Sequence, residues 1–148
     1  MRRILVTGAA TRTGGRIIQH LEQIPGTEVF AVDDLNPVER FTSHFERLDI
    51  DDLSFARYLL DLEPHTVVHL QTVDRSAVDG STRAHEESTV GAQALFGAIG
   101  RCTSVRHVIV KSDGAVYGAG PRSPSVVTVD SKLDRSGGRF QRDLEQME

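Results

Sequence analysis

Apolar residues along this chain fall into two alternating kinds of segment. Short continuous runs, Ile4-Leu5-Val6 within Arg3–Val6, Val29-Phe30-Ala31-Val32, Thr66–Leu70 and Val105–Val110, have the pattern of strands covered on both faces. Between them apolar residues recur at three- and four-residue steps. Ile17, Ile18 and Leu21, then Leu53, Ala56, Leu59 and Leu60, then Ala84, Val90, Gly91, Ala94, Leu95 and Ala98 predict three helices. Pro25-Gly26 closes the first, Asp51 or Asp52 can cap the second and Pro64 stops it, and the third is predicted from about Thr82 to Arg101 with Glu86 and Glu87 near its start. Phe45 to Asp49 reads as a short third strand after a polar connection containing Pro37, and Asp74 to Ser81 as a polar loop. Past Val110 the regularity fails: Gly114 to Pro124 is turn-rich, Val126 to Val129 reads as a short strand and Phe140 to Glu148 as the start of a helix. Strand and helix alternating at βαβ spacing predict an α/β domain with a parallel sheet and right-handed crossovers.

Length and composition narrow the class without changing that picture. A chain of 148 residues, 39% hydrophobic and 26% charged, can bury a sizeable core as one domain without disulfide or metal. The single cysteine, Cys102, excludes an internal bridge and favours a reducing compartment, hence the cytoplasm. No apolar run approaches the roughly 18 residues of a membrane span. Net charge is −4, and the 17 basic residues are scattered rather than gathered into a stripe, which disfavours nucleic-acid binding. The six histidines show no metal-ligand spacing.

Candidate chemistry begins at the end of the first strand. Thr7-Gly8-Ala9-Ala10-Thr11-Arg12-Thr13-Gly14-Gly15 links that strand to the first helix, so small residues meet a helix N-terminus whose free amides and positive dipole end suit a pyrophosphate. Asp33 closes the second strand 19 residues after Gly14, near the offset at which a carboxylate accepts hydrogen bonds from an adenosine ribose. Together these predict a doubly wound, Rossmann-type dinucleotide domain that binds NAD, with NADP as runner-up because Arg12 could meet a 2′-phosphate.

At these residues the chain resembles the extended short-chain dehydrogenases of the NAD-dependent epimerase/dehydratase group. Thr7 to Gly14 looks like their T-G-x-x-G-x-x-G turn, and Leu48-Asp49-Ile50 like the acidic-apolar pair that contacts adenine. Val67-Val68-His69-Leu70, followed by Gln71, looks like the fourth-strand segment beside the cofactor, and Val108 to Gly118 like the fifth strand ending in V-Y-G. The resemblance implies cofactor contacts from Gly8, Ala10, Thr11, Arg12, Thr13, Gly14, Asp33, Asp49, Ile50, Leu70 and Gln71, and no metal. Family members run to roughly twice this length, so 1–148 is expected to be the nucleotide-binding part, C-terminally truncated and without the substrate domain. The implied function is that of an epimerase, dehydratase or reductase acting on a sugar nucleotide, inactive as this fragment. The competing expectation is a catalytically silent dinucleotide-binding sensor or interaction module.

The chain also departs from the family pattern. Thr11 replaces the middle glycine, and its side chain is expected to crowd the diphosphate or deflect the loop. The family's Tyr-x-x-x-Lys pair has no counterpart: one register places Phe140 to Leu144 there, the other Thr128 to Lys132. Asp113 falls at the usual catalytic serine with Ser112 beside it, and Asp113 reads either as a base or as a loop hydrogen-bond acceptor. Tyr117 reads as pocket lining or loop packing. The resemblance further implies a homodimer through the Thr82–Arg101 helix, presenting Gly91, Ala94, Leu95 and Ala98.

Overall fold

The computed structural model describes residues 1–71, 89–118, 121 and 123–133. Strands β1 (Arg2–Thr7), β2 (Thr27–Asp33), β3 (His44–Arg47), β4 (Thr66–His69) and β5 (His107–Val110) form one parallel sheet in the order β3-β2-β1-β4-β5. The order reverses between β1 and β4, where an open parallel sheet leaves a crevice outside its carboxyl ends. Thr7 lies in register with Val32 on one side and His69 on the other.

Because successive strand residues face opposite ways, the continuous apolar runs feed two cores. Leu5, Val32 and Val67 pack on Phe55 and Leu59 of α2 (Leu53–Leu62) and on Leu95 and Ala98 of α3 (Gly91–Ile99). Ile4, Val6, Val29, Ala31 and Val68 pack on Ile18 of α1 (Arg12–Glu22). Of the two candidate caps, Asp52 caps α2, its carboxylate accepting from the Ser54 amide at 2.7 Å, and left-handed Glu63 ends the helix before Pro64.

Several boundaries and one element differ from expectation. β3 ends at Arg47: the Leu48 amide still donates to Asp33 O at 3.1 Å, but the Asp49 carboxylate then accepts from the Asp51 amide and turns the chain. β5 begins at His107 because the Val105 amide bonds back to Cys102 O in a turn. Val126 to Val129 is not a strand. Thr128 and Ser131 instead close a turn, with the Ser131 amide donating to Thr128 O at 3.0 Å and the Ser131 hydroxyl accepting from the Thr128 amide at 2.9 Å. Val129 is 97% exposed there, and no strand among the described residues pairs with this run. In the Gly114–Pro124 stretch a 3₁₀ turn forms at Gly114–Tyr117 and buries Val116. The expected loop at 74–81, the first turns of the third helix and the Phe140–Glu148 helix lie outside the described residues.

The face of α3 is also corrected. Gly91, Leu95 and Ala98 turn inward: Leu95 and Ala98 join the core, and a Cβ on Gly91 would stand 2.9 Å from Ile50 Cδ1. Only Ala94 of the expected set is exposed, alongside Val90, Phe96 and Gly97.

Candidate functional site

The turn after β1 is built by contacts that admit no side chains. Gly8 has φ 78°, and a Cβ there would lie 2.6 Å from Gln71 N and 2.7 Å from Leu70 C, so the turn sits directly against the end of β4. A Cβ on Gly14 would strike the Gly8 carbonyl oxygen, which fixes how closely α1 approaches the turn. These are the first and third glycine roles of a dinucleotide fingerprint, the tight turn and the close helix–strand packing.

Thr11 occupies the middle position and closes the turn on itself. Its hydroxyl donates to Gly8 O at 3.0 Å and accepts from the Gly14 amide at 2.9 Å, making Thr11 the N-cap of α1. One of the orphan first-turn amides is thereby satisfied, and those of Arg12 and Thr13 are left on the exposed N-terminal turn without an intrahelical acceptor. No acidic residue of α1 itself stands in that first turn.

Asp33 couples β2 to the same turn. Its Oδ2 accepts from the Ala10 amide at 2.8 Å and its Oδ1 from the Leu35 amide at 3.0 Å, while the residue is 5% exposed. Burial pushes the carboxyl above its ordinary range, the Ala10 and Leu35 amides pull it back, and adjacent Asp34 pushes the same way as burial. Each carboxylate oxygen has a second lone pair, so Asp33 retains capacity to accept from hydroxyls.

The β2–β3 connection is strapped along α1. The Val38 amide donates to Ala10 O at 3.2 Å, Gln19 Nε2 to Arg40 O at 2.7 Å, and Glu22 Oε1 accepts from the Thr42 amide, the Ser43 amide and the Ser43 hydroxyl. Burial alone would raise the Glu22 pKa, yet the bonds from Ser43 and Thr42 outweigh it and hold the carboxyl below its usual value. Glu39 seats its stem against Gly15, and its Oε1 lies 3.6 Å from Arg12 Nε. Sequence reasoning overlooked this seat. The doubled glycine, Gly14-Gly15, was the available signal.

At the β1–β4 reversal, Thr7 Oγ1 and His69 Nδ1 are 2.7 Å apart and both residues are fully buried. Burial lowers the His69 pKa to about 4, which keeps the ring neutral. His69 Nε2 and the neighbouring Gln71 Oε1 are buried without a hydrogen-bond partner among the described residues. Ser112 and Asp113 follow β5 at the same carboxyl edge of the sheet and are exposed.

The adenine-side candidates separate. Asp49 is exposed, whereas Ile50 is 3% exposed and packs in the α2–α3 core beneath Gly91. Leu70 is buried in the α1 core and meets the turn through its backbone. The structure thus gathers Gly8, Ala10, Thr11, Arg12, Thr13, Gly14, Asp33, Leu70 and Gln71 around one turn. Of the two registers for the missing tyrosine, Thr128 sits in the exposed turn and Phe140 to Leu144 lie outside the described residues. Among the described residues no three His, Cys, Asp or Glu side chains could hold a metal ion, and no helix is long and apolar enough to cross a membrane.

Similarity to known proteins agrees with this geometry. The profile of the NAD dependent epimerase/dehydratase family matches residues 4–136. An uncharacterized protein of Mycobacterium tuberculosis is 35% identical over 139 residues, covering 89% of this chain and 37% of its own, so the chain spans little more than a third of that relative's length. Among solved structures, UDP-glucose 4-epimerase from Bifidobacterium longum in complex with NAD+ and UDP superposes with a TM-score of 0.84 at 16% identity, over 98% of this chain and 46% of that one. A short-chain dehydrogenase/reductase superfamily protein from Agrobacterium tumefaciens with bound NAD gives 0.83 at 21% identity, over 99% and 43%. With its strand order, glycine turn and the profile match over most of its length, the chain belongs to the NAD dependent epimerase/dehydratase family.

Proposed function

We propose that this chain binds NAD across the carboxyl edge of β2, β1 and β4, as the nucleotide-binding part of an oxidoreductase acting on a sugar nucleotide. The observation that carries the reading is the glycine turn locked to Asp33: the Ala10 amide bonded to its carboxylate at 2.8 Å sets a ribose acceptor beside a helix N-terminus whose Arg12 and Thr13 amides have no intrahelical acceptor. The cofactor fits these residues. Arg12 and Thr13 amides would hold the pyrophosphate, Asp33 the ribose hydroxyls, and Gln71 Oε1, without a partner among the described residues, offers an acceptor where the turn meets β4. Bound NAD supplies oxidation and reduction of a substrate carbon, and the chain's own residues bind it and orient it. The NAD and UDP complexes of similar folds support the cofactor and the substrate class.

Calorimetric titration of NAD into the 148-residue chain should give saturable binding, weakened at least tenfold by Asp33→Ala. Absence of binding to the unaltered chain would reject the reading.

A silent binding module is the second reading, and a sequence observation favours it: neither Tyr58 nor Tyr117 is followed four residues later by lysine. Under it, no turnover of UDP- or dTDP-sugars accompanies NAD binding. Turnover that survives both Phe140→Ala and Thr128→Ala and vanishes in Asp113→Asn would instead make Asp113 the base. We place the protein in the cytoplasm and self-association on the outward face of α3. Because Leu95 is buried, the informative variant for that face is Ala94→Glu, and an unchanged oligomeric state by light scattering would discard it.

A further inference from the structure

We propose that Glu39 is a cofactor-selectivity residue, favouring NAD over NADP by engaging Arg12 and by adding a carboxylate beside the ribose edge; this rests on the NAD reading above. Among the described residues two guanidinium groups border that edge, each engaged through its Nε. Arg12, at the first position of α1, has its Nε 3.6 Å from Glu39 Oε1. Arg47, paired in register with Asp33, donates from its Nε to the Asp34 carbonyl at 2.8 Å. A 2′-phosphate carried on the ribose at Asp33 would therefore meet the carboxylates of Asp33 and Glu39, and an Arg12 charge already faced by an acid.

The ion pair itself does not hold Glu39 in place. The Arg12 side chain is 72% exposed, and exposed pairs contribute little. Packing does so instead. The Val38 amide bonded to Ala10 O ties the strap to the glycine turn one residue earlier, and the Glu39 stem lies so close over Gly15 that any side chain at 15 would displace it. Gly15 is thus explained by Glu39, and Glu39 by what it does to Arg12. Arg12 was the one feature of the glycine turn that spoke for NADP, and the fold sets an acid against it.

The test is calorimetric titration of NAD and NADP into the 148-residue chain and its variants, read as the ratio of the two dissociation constants. Glu39→Gln should shift the ratio toward NADP by roughly fivefold, the order expected for removing one carboxylate charge near a phosphate in a water-like dielectric. Adding Arg12→Gln to Glu39→Gln should cancel part of that shift, the part carried by the freed guanidinium. Gly15→Ala, which changes no charge, should move the ratio in the same direction by dislodging Glu39. If NAD binds and neither Glu39→Gln nor Gly15→Ala moves the ratio, Glu39 has no such role while the NAD reading stands. If the unaltered chain binds neither nucleotide, the NAD reading fails and this inference with it.

Discussion

β1 and β5 carry nearly the same text, Ile-Leu-Val against Val-Ile-Val, and meet different fates. In β1, Leu5 and Val6 are wholly buried between β2 and β4 with α1 on one face and α2 on the other. In β5, at the edge of the described sheet, Val108 is 39% and Ile109 56% exposed. Apolar sequence makes a strand eligible for burial, and neighbours on both sides and both faces deliver it. The glycine turn, Asp33 and the strap all gather at the well-covered end, where the backbone is held from several directions, as a site needing fixed geometry requires.

The contrast can be broken most forcefully through the cores. Leu5→Ala should cost about 3 kcal/mol in urea unfolding, as buried leucine truncations do, while Ile109→Ala should cost under about 1 kcal/mol. Equal losses would mean that β5 is covered in solution.

His69, at the centre of the buried end, predicts a pH dependence. Its folded pKa of about 4 lies below the ordinary 6.5, so this contribution to stability is complete above pH 6.5 and is lost as pH falls toward 4, where only the unfolded chain takes up the proton. The loss over that window should approach about 3 kcal/mol, and His69→Gln should flatten the curve. A wild-type curve level from pH 7 to 4.5 would contradict the buried neutral ring.

Two glycines sharpen the comparison at smaller scale. Gly8 and Gly26 have nearly the same φ, 78° and 76°, but nothing lies within 4 Å of a Cβ on Gly26, whereas Gly8 meets Leu70 and Gln71 backbone. Gly26→Ala should cost about 1 kcal/mol from conformation alone, and Gly8→Ala about 1–2 kcal/mol more. The smallest effect belongs to the strap: Glu22→Ala removes the acceptor of three hydrogen bonds at a partly exposed site and should lower stability by about 1 kcal/mol in thermal unfolding.

Sequence alone determined the features that depend on local chain chemistry. Continuous apolar runs mark the strands, Asp52 was among the caps it offered for α2, and Gly8, Gly14 and Asp33 stand at the spacing a strand-turn-helix imposes, because backbone geometry repeats over short distances. Tertiary structure decided what required partners distant in sequence. Thr11 reads as an intruder among glycines until its hydroxyl is seen bridging Gly8 and Gly14. Leu95 and Ala94 are adjacent and apolar, and only packing against the sheet and α2 sends Leu95 inward. Val126 to Val129 has strand composition and joins no strand among the described residues. Glu39 meets Arg12 across 27 residues and Thr7 meets His69 across 62, contacts created when the crossovers stack parallel strands. A hydrogen bond or ion pair is short-ranged, so residue type advertises it and only the fold brings its two ends within reach.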